Sequence, residues 1–348
     1  MIRWNNDYNK GAHPQILKAL EENNNTSYPG YGLDEWCDRA ASEIKKYLKN
    51  DKAQIHFMLG GTQVNYTIAA AALRPYQGII CADTAHIHVH ETGAVENTGH
   101  KILALKAVNG KLTAKAVKAE AENYRESDLK EHITQPKLVF LSNPSEYGTI
   151  YSLKELKDIR AVCDEYGMYM YMDGARLGYG LGSKDCDYTL SDLADILDAF
   201  YIGGTKCGAF FGEAVILIND DLKDHFRSYI KQNGALLAKG WLLGMQFYTL
   251  FKDGLYFDIT KAADEAAGKI KEAFVKKNVP LYYENNTNQQ FVILNDRQIE
   301  QLAKDHIFEF EGKYDEDRTI VRFCTSFATV QEDVDRLAED IAALAEAD

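Results

Sequence analysis

Apolar residues recur in two rhythms along this chain. Between about residues 50 and 220, short apolar runs alternate with stretches of helical spacing. The runs at 54–58, 78–82, 101–105, 137–141, 168–172, 199–203 and 214–218 have strand length, and helices are predicted at 62–73, 152–165 and 191–197. Wholly apolar strands alternating with helices imply a mainly parallel seven-stranded sheet, covered by helices and of the α/β class. From 221 to 251 the pattern turns helical throughout. Beyond 255 it predicts a long amphipathic helix, short strands at 281–283, 290–294 and 319–323, and a closing Ala-rich helix. The expected organisation is a large α/β domain over 35–250. Residues 1–34 and 251–348 form a small α+β domain, on which a helix at 14–22 could pack.

Active sites of such sheets lie beyond the carboxyl ends of the strands. Two of these ends carry chemistry. Asp173 closes Tyr169-Met170-Tyr171-Met172-Asp173, and Lys206 follows Phe200-Tyr201-Ile202-Gly203-Gly204-Thr205. One helical crossover fits between them, so the two side chains should project from neighbouring strand ends. A lysine can hold an aldehyde as a Schiff base, and a carboxylate can keep a pyridine nitrogen protonated so that the ring takes up electrons. The pair therefore suits pyridoxal phosphate.

Several other residues fit the same picture. Leu59-Gly60-Gly61-Thr62 joins a predicted strand to a helix, where backbone N–H groups can approach an anion. Gly61 and Thr62 are candidate phosphate ligands, and Thr205 could add a hydroxyl. His86, His88 and His90 would share one side of an extended segment. They lack the carboxylates or cysteines of a metal site, and His86 is a candidate for stacking on a flat ring. Arg176 can reach the pocket of Asp173 or make a surface ion pair. Arg322 leaves an apolar strand and needs an anionic partner, either a ligand carboxylate or a structural acid. Lys231 and Lys239 lie in helical surroundings and could reach a neighbouring subunit's phosphate.

Composition narrows the function classes. The 39 Lys and Arg against 52 Asp and Glu give a formal charge of −13, which argues against a nucleic-acid partner. No apolar run is long enough for a membrane span, and the first residues lack a signal-peptide stretch, so a cytoplasmic location is expected. Cysteines at 37, 81, 163, 186, 207 and 324 have no CxxC spacing, which favours reduced thiols and no metal.

These residues together resemble the threonine aldolase and β-eliminating lyase group of fold-type-I pyridoxal phosphate enzymes. The resemblance covers nearly the whole chain. It rests on Asn6-Asp7-Tyr8 with Gly11-Ala12-His13-Pro14, Tyr28-Pro29-Gly30-Tyr31-Gly32-Leu33-Asp34, Gly61-Thr62, and Ala85-His86-Ile87 with Glu91 and Gly93. Asp173-Gly174-Ala175-Arg176, Thr205-Lys206, and Arg322 with Thr325 complete it. The resemblance implies Lys206 as the Schiff-base lysine, Asp173 at the pyridine nitrogen, Arg176 at the ring oxygen and His86 stacked on the ring. It implies Gly61 and Thr62 at the phosphate, and Arg322 with Asn6 at the substrate carboxylate. Tyr31 and Lys231 or Lys239 would enter from a second copy in a homodimer or homotetramer with shared sites. The family carries Asn-Thr-His where this chain has Asn143-Pro144-Ser145-Glu146. The proton acceptor for a substrate hydroxyl is then Glu146 or His86, with Ser145 relaying through water. The expected activity is cleavage of a β-hydroxy-α-amino acid to glycine and an aldehyde, as in a low-specificity L-threonine aldolase. A β-eliminating amino-acid lyase is the alternative, and a non-catalytic relative of the same fold is the third.

Overall fold

The computed structural model describes residues 1–345. Among them the strands are, in chain order, β1 Ile2–Arg3, β2 Gln54–Met58, β3 Gln77–Ala82, β4 Lys101–Leu105, β5 Gln135–Ser142, β6 Tyr169–Asp173, β7 Ala199–Gly203 and β8 Glu213–Leu217. They continue with β9 Leu281–Tyr283, β10 Gln289–Asn295, β11 His306–Ile307, β12 Glu309–Lys313 and β13 Arg318–Cys324.

A seven-stranded sheet has the order β2-β8-β7-β6-β5-β3-β4. Its pairings from β7 through β4 are parallel, while β8 runs antiparallel to both β7 and β2. The connection from Gly203 to Glu213 is too short for a helical crossover, so β8 must turn back. Strands β3, β7 and β8 are buried along their whole length, as expected for a sheet with helices on both faces. The direction of strand addition reverses between β3 and β5, because β4 lies on one side of β3 and β5 on the other. A crevice opens beyond the carboxyl ends at such a point.

The second sheet is antiparallel, in the order β12-β13-β10-β9. Two hydrophobic clusters follow this division, one around the large sheet and one around β10 and β13. The helix Leu255–Lys276 joins them: Tyr256 and Ala263 belong to the first, Ile270 and Phe274 to the second.

The amino-terminal segment is also divided. Trp4 enters the small cluster, while Ala12 and Ile16 enter the large one. The helix Pro14–Asn23 therefore packs on the helix Trp241–Phe251, not on the small sheet as expected. The helix Trp241–Phe251 is apolar nearly all round and must be covered on several sides. No helix among the described residues is long and apolar enough to cross a membrane.

Candidate active site

Strands β6 and β7 pair through Tyr171–Ala199 and Met172–Phe200, which brings Asp173 and the Gly204-Thr205-Lys206 segment to one end of the sheet. The approach of the two strand ends is close. A Cβ on Gly174 would lie 1.9 Å from the Tyr201 carbonyl oxygen, and one on Gly203 would lie 2.2 Å from that of Ala175. Side chains at either position would force the strand ends, and with them Asp173 and Lys206, apart.

Both residues line a cavity of ≈ 320 Å³ that also takes in Gly61, Thr62, His86, Glu146, Arg176 and Thr205. The Asp173 carboxylate accepts from the Tyr201 hydroxyl at 2.6 Å, the Ala175 N–H at 2.9 Å and Asn65 Nδ2 at 3.0 Å. Asn65 donates as well to Glu91 Oε1 at 2.8 Å and accepts from the Tyr171 hydroxyl. Glu91 Oε1 also holds His86 Nδ1 at 2.8 Å, while Glu91 Oε2 is buried without a partner. A continuous network thus runs from Asp173 to the imidazole of His86.

Residues 86–89 form a helical turn rather than the extended segment expected. In that turn positions i and i+4 share a face. His86 and His90 therefore lie together, with ring centroids 5.5 Å apart, and no metal cluster of three or more His, Cys, Asp or Glu occurs among the described residues.

Charge is concentrated beside this network. Arg176 grips Asp7 through two bonds, Nε to Oδ2 at 2.7 Å and Nη2 to Oδ1 at 3.0 Å. Burial pushes the Asp7 carboxyl up, but Arg176, Lys206 and the Asn288 amide together bring it down to about 2. Burial, with the charge of Arg176, lowers the Lys206 amine, against the pull of Asp7, Asp173 and Glu213. Glu146 accepts from the Ser142 hydroxyl at 2.6 Å and the His86 N–H at 2.8 Å, and burial raises its carboxyl nonetheless. Ser145 is engaged with Thr149 at 2.6 Å.

At the other end of the cavity, the helix Gly61–Ala72 begins at Gly60 with no side-chain cap, so its first N–H groups are free for an anion. Thr205 does not point its proton at that anion site. Its hydroxyl donates to Glu213 Oε1 at 3.0 Å and accepts from the Gly212 N–H. Glu213 also accepts from the Gly204 N–H, and burial raises it to about 8.

A wider cavity of ≈ 690 Å³ shares Tyr8, His86, Glu146, Arg176 and Lys206 with the first and extends to Arg322. Asn6, Tyr31, Lys231 and Lys239 do not line either cavity within one chain. Asn6 caps the Tyr8 N–H and lines a separate hollow near Arg3 and Asp333. The exposed Lys231 sits over the Tyr31 ring at 4.8 Å.

Asn65, Tyr201 and Glu213 escaped sequence reasoning. A polar residue inside an otherwise apolar helix or strand was the available signal, since burial of such groups requires partners.

Residues 18–307 match the model of the family described as Beta-eliminating lyase. The low specificity L-threonine aldolase of Pseudomonas aeruginosa is 30% identical over 342 residues, covering 96% of this chain and 95% of that protein. A solved structure of threonine aldolase from Leishmania major is 40% identical, with a TM-score of 0.96 over 99% of each chain. The serine palmitoyltransferase of Sphingomonas wittichii, 12% identical, superimposes with a TM-score of 0.74 over 98% of this chain and 86% of its own, which bears out the expected fold-type-I architecture. With the match running from the helix Pro14–Asn23 to β11, the chain belongs to the β-eliminating lyase family.

Proposed function

We propose that the protein is a pyridoxal-phosphate-dependent lyase that cleaves L-threonine and related β-hydroxy-α-amino acids to glycine and an aldehyde. The observation that carries this reading is the meeting of Asp173 and Lys206 at the ends of two paired strands, in one cavity. Near-full-length similarity to threonine aldolases supports the choice of substrate class.

The residues present fit the cofactor. The uncapped helix start at Gly61 and Thr62 offers N–H donors to a phosphate, and a Cβ on Gly61 would fall 2.7 Å from the Tyr201 hydroxyl. Asp173, held by three donors, would pair with a ring nitrogen. Glu91 fixes the His86 imidazole for stacking. Arg176 keeps Nη1 for a ring oxygen, since Asp7 takes Nε and Nη2. When bound, the cofactor supplies an electron sink for the bonds at the substrate's Cα.

The chain's own groups then do the following. Lys206 has its amine lowered by burial, so more of its Nζ is neutral; it attaches the cofactor and delivers a proton to Cα. Arg322 binds the substrate carboxylate. Glu146, raised by burial, accepts the β-hydroxyl proton in its ionised form, with His86 as the alternative acceptor. In this reading Lys231 or Lys239 completes the phosphate end, and Tyr31 the substrate end, from a second copy of the chain.

The test is product analysis of the purified holoenzyme with L-threonine and L-allo-threonine. Glycine and acetaldehyde in equal amounts are expected. Formation of 2-oxobutanoate and ammonia would give the site to β-elimination instead.

A further inference from the structure

Arg322 already holds an anion. Its Nη1 lies 3.0 Å from Glu311 Oε1, its Nη2 donates to the Asn5 carbonyl at 3.2 Å, and its Nε is buried without a partner. The acid and the arginine line the same cavity as Lys206 and Arg176. They are carried differently. Arg322 belongs to β13, which is paired on both sides, by β12 and β10. Glu311 belongs to β12, an edge strand whose residues are all exposed and whose register slips between Phe310 and Gly312. Gly312 has φ +144°, a conformation side chains rarely adopt.

We propose that Glu311 is a specificity-determining residue: it fills the carboxylate seat on Arg322 until an incoming amino acid displaces it. This rests on the reading that Arg322 binds the substrate carboxylate. A half-buried guanidinium without an anion is costly, and Glu311 compensates the charge of Arg322. Glu311 engages one Nη and leaves Nε bare. A free α-carboxylate can bond Nη1 and Nη2 end-on and must then take Nη1 from Glu311, whose own contact is single. The exchange therefore favours ligands with an α-carboxylate. Amines and amides, unable to replace the charge, leave Glu311 in place.

The experiment titrates the holoenzyme with glycine and with glycinamide, reading the cofactor's absorbance. Relative to wild type, Glu311→Gln should tighten glycine by about three- to fivefold, the worth of a partly exposed ion pair. Glycinamide should not change, and KM for L-threonine should fall with glycine's dissociation constant. In an Arg322→Gln background, Glu311→Gln should do nothing to glycine. If Arg322→Gln weakens glycine but Glu311→Gln leaves it unchanged or weaker, the carboxylate reading stands and the stand-in role is overturned. If Arg322→Gln binds glycine like wild type, the carboxylate reading fails and takes the proposal with it. Glu311→Ala, on an exposed strand, repeats the measurement without a residual side-chain amide.

Discussion

Asp173 is held by a tyrosine hydroxyl, an asparagine amide and a backbone N–H, so its direction is set before any ligand arrives. An amide in its place keeps the shape and loses the charge that stabilises a proton on a ring nitrogen. Asp173→Asn should cost at least ~10²–10³ in kcat, the scale of a lost electrostatic contact, with cofactor affinity changed only a few-fold. Parallel measurement of kcat and of cofactor binding checks this, and comparable rates would remove Asp173 from that role. Glu146 gives a pH signature. Burial raises its carboxyl, so as pH falls through that raised value the group gains a proton and can no longer accept one. Glu146→Gln should lower threonine cleavage by ~10²–10⁴ and abolish the acid limb of the rate profile, while the substrate still binds. Full activity in Glu146→Gln would shift the role to His86, which His86→Phe then tests.

At the scale of elements, the helix Leu255–Lys276 carries an unusual load. Asp264 on this helix is buried against Gly182, without a well-formed bond to either carboxylate oxygen, and burial pushes it up to about 9. The folded chain therefore keeps this proton from the ordinary value near 3.8 up to about 9, whereas the unfolded chain releases it. The unfolded state binds fewer protons across that window, so Asp264 makes stability fall as pH rises. Asp264→Asn should remove this slope, with little gain at pH 4 and several kcal/mol at pH 8, on the order of 1.4 kcal/mol for each pH unit above 3.8. Unfolding in urea at the two pH values measures it. Equal stability of the two proteins at pH 8 would mean that the carboxyl is better satisfied than its geometry implies.

Strands β2, β4, β7 and β9 were legible residue for residue, because apolar runs of strand length stand out between turns. The helices Glu35–Leu48 and Ala114–Glu126 were not foreseen. The latter buries only Val117 and Ala121, so most of its face looks like loop. Strand β12 buries nothing, and its alternation is confined to the few residues before Gly312. In the site, Asp173 and Lys206 were legible because strand ends announce themselves. Glu213 opens a strand whose other residues are apolar and gives no strand-end signal, and the turn at His86–Val89 is too short to show a helical period.

At the scale of the molecule, Tyr31, Lys231 and Lys239 lie outside both cavities. Tyr31 and Lys231 meet each other but not the site, which fits a phosphate end completed across subunits. Under the shared-site proposal, Lys206→Ala and Lys231→Ala homo-oligomers should each lose activity. After mixing and subunit exchange, part of it should return, because some sites then carry both native residues. No recovery in a mixture proven to contain hetero-oligomers would place Lys231 outside the site. In the proposed reaction Lys206 and Asp173 serve cleavage of the Cα–Cβ bond, with solvent supplying the new proton on Cα. The direct measurement is a brief incubation of the holoenzyme with L-threonine in D₂O, with the products read by mass spectrometry. Acetaldehyde and glycine carrying one deuterium at Cα are expected, both absent with Lys206→Ala. Deuterated 2-oxobutanoate with ammonia and no glycine would contradict the proposed cleavage.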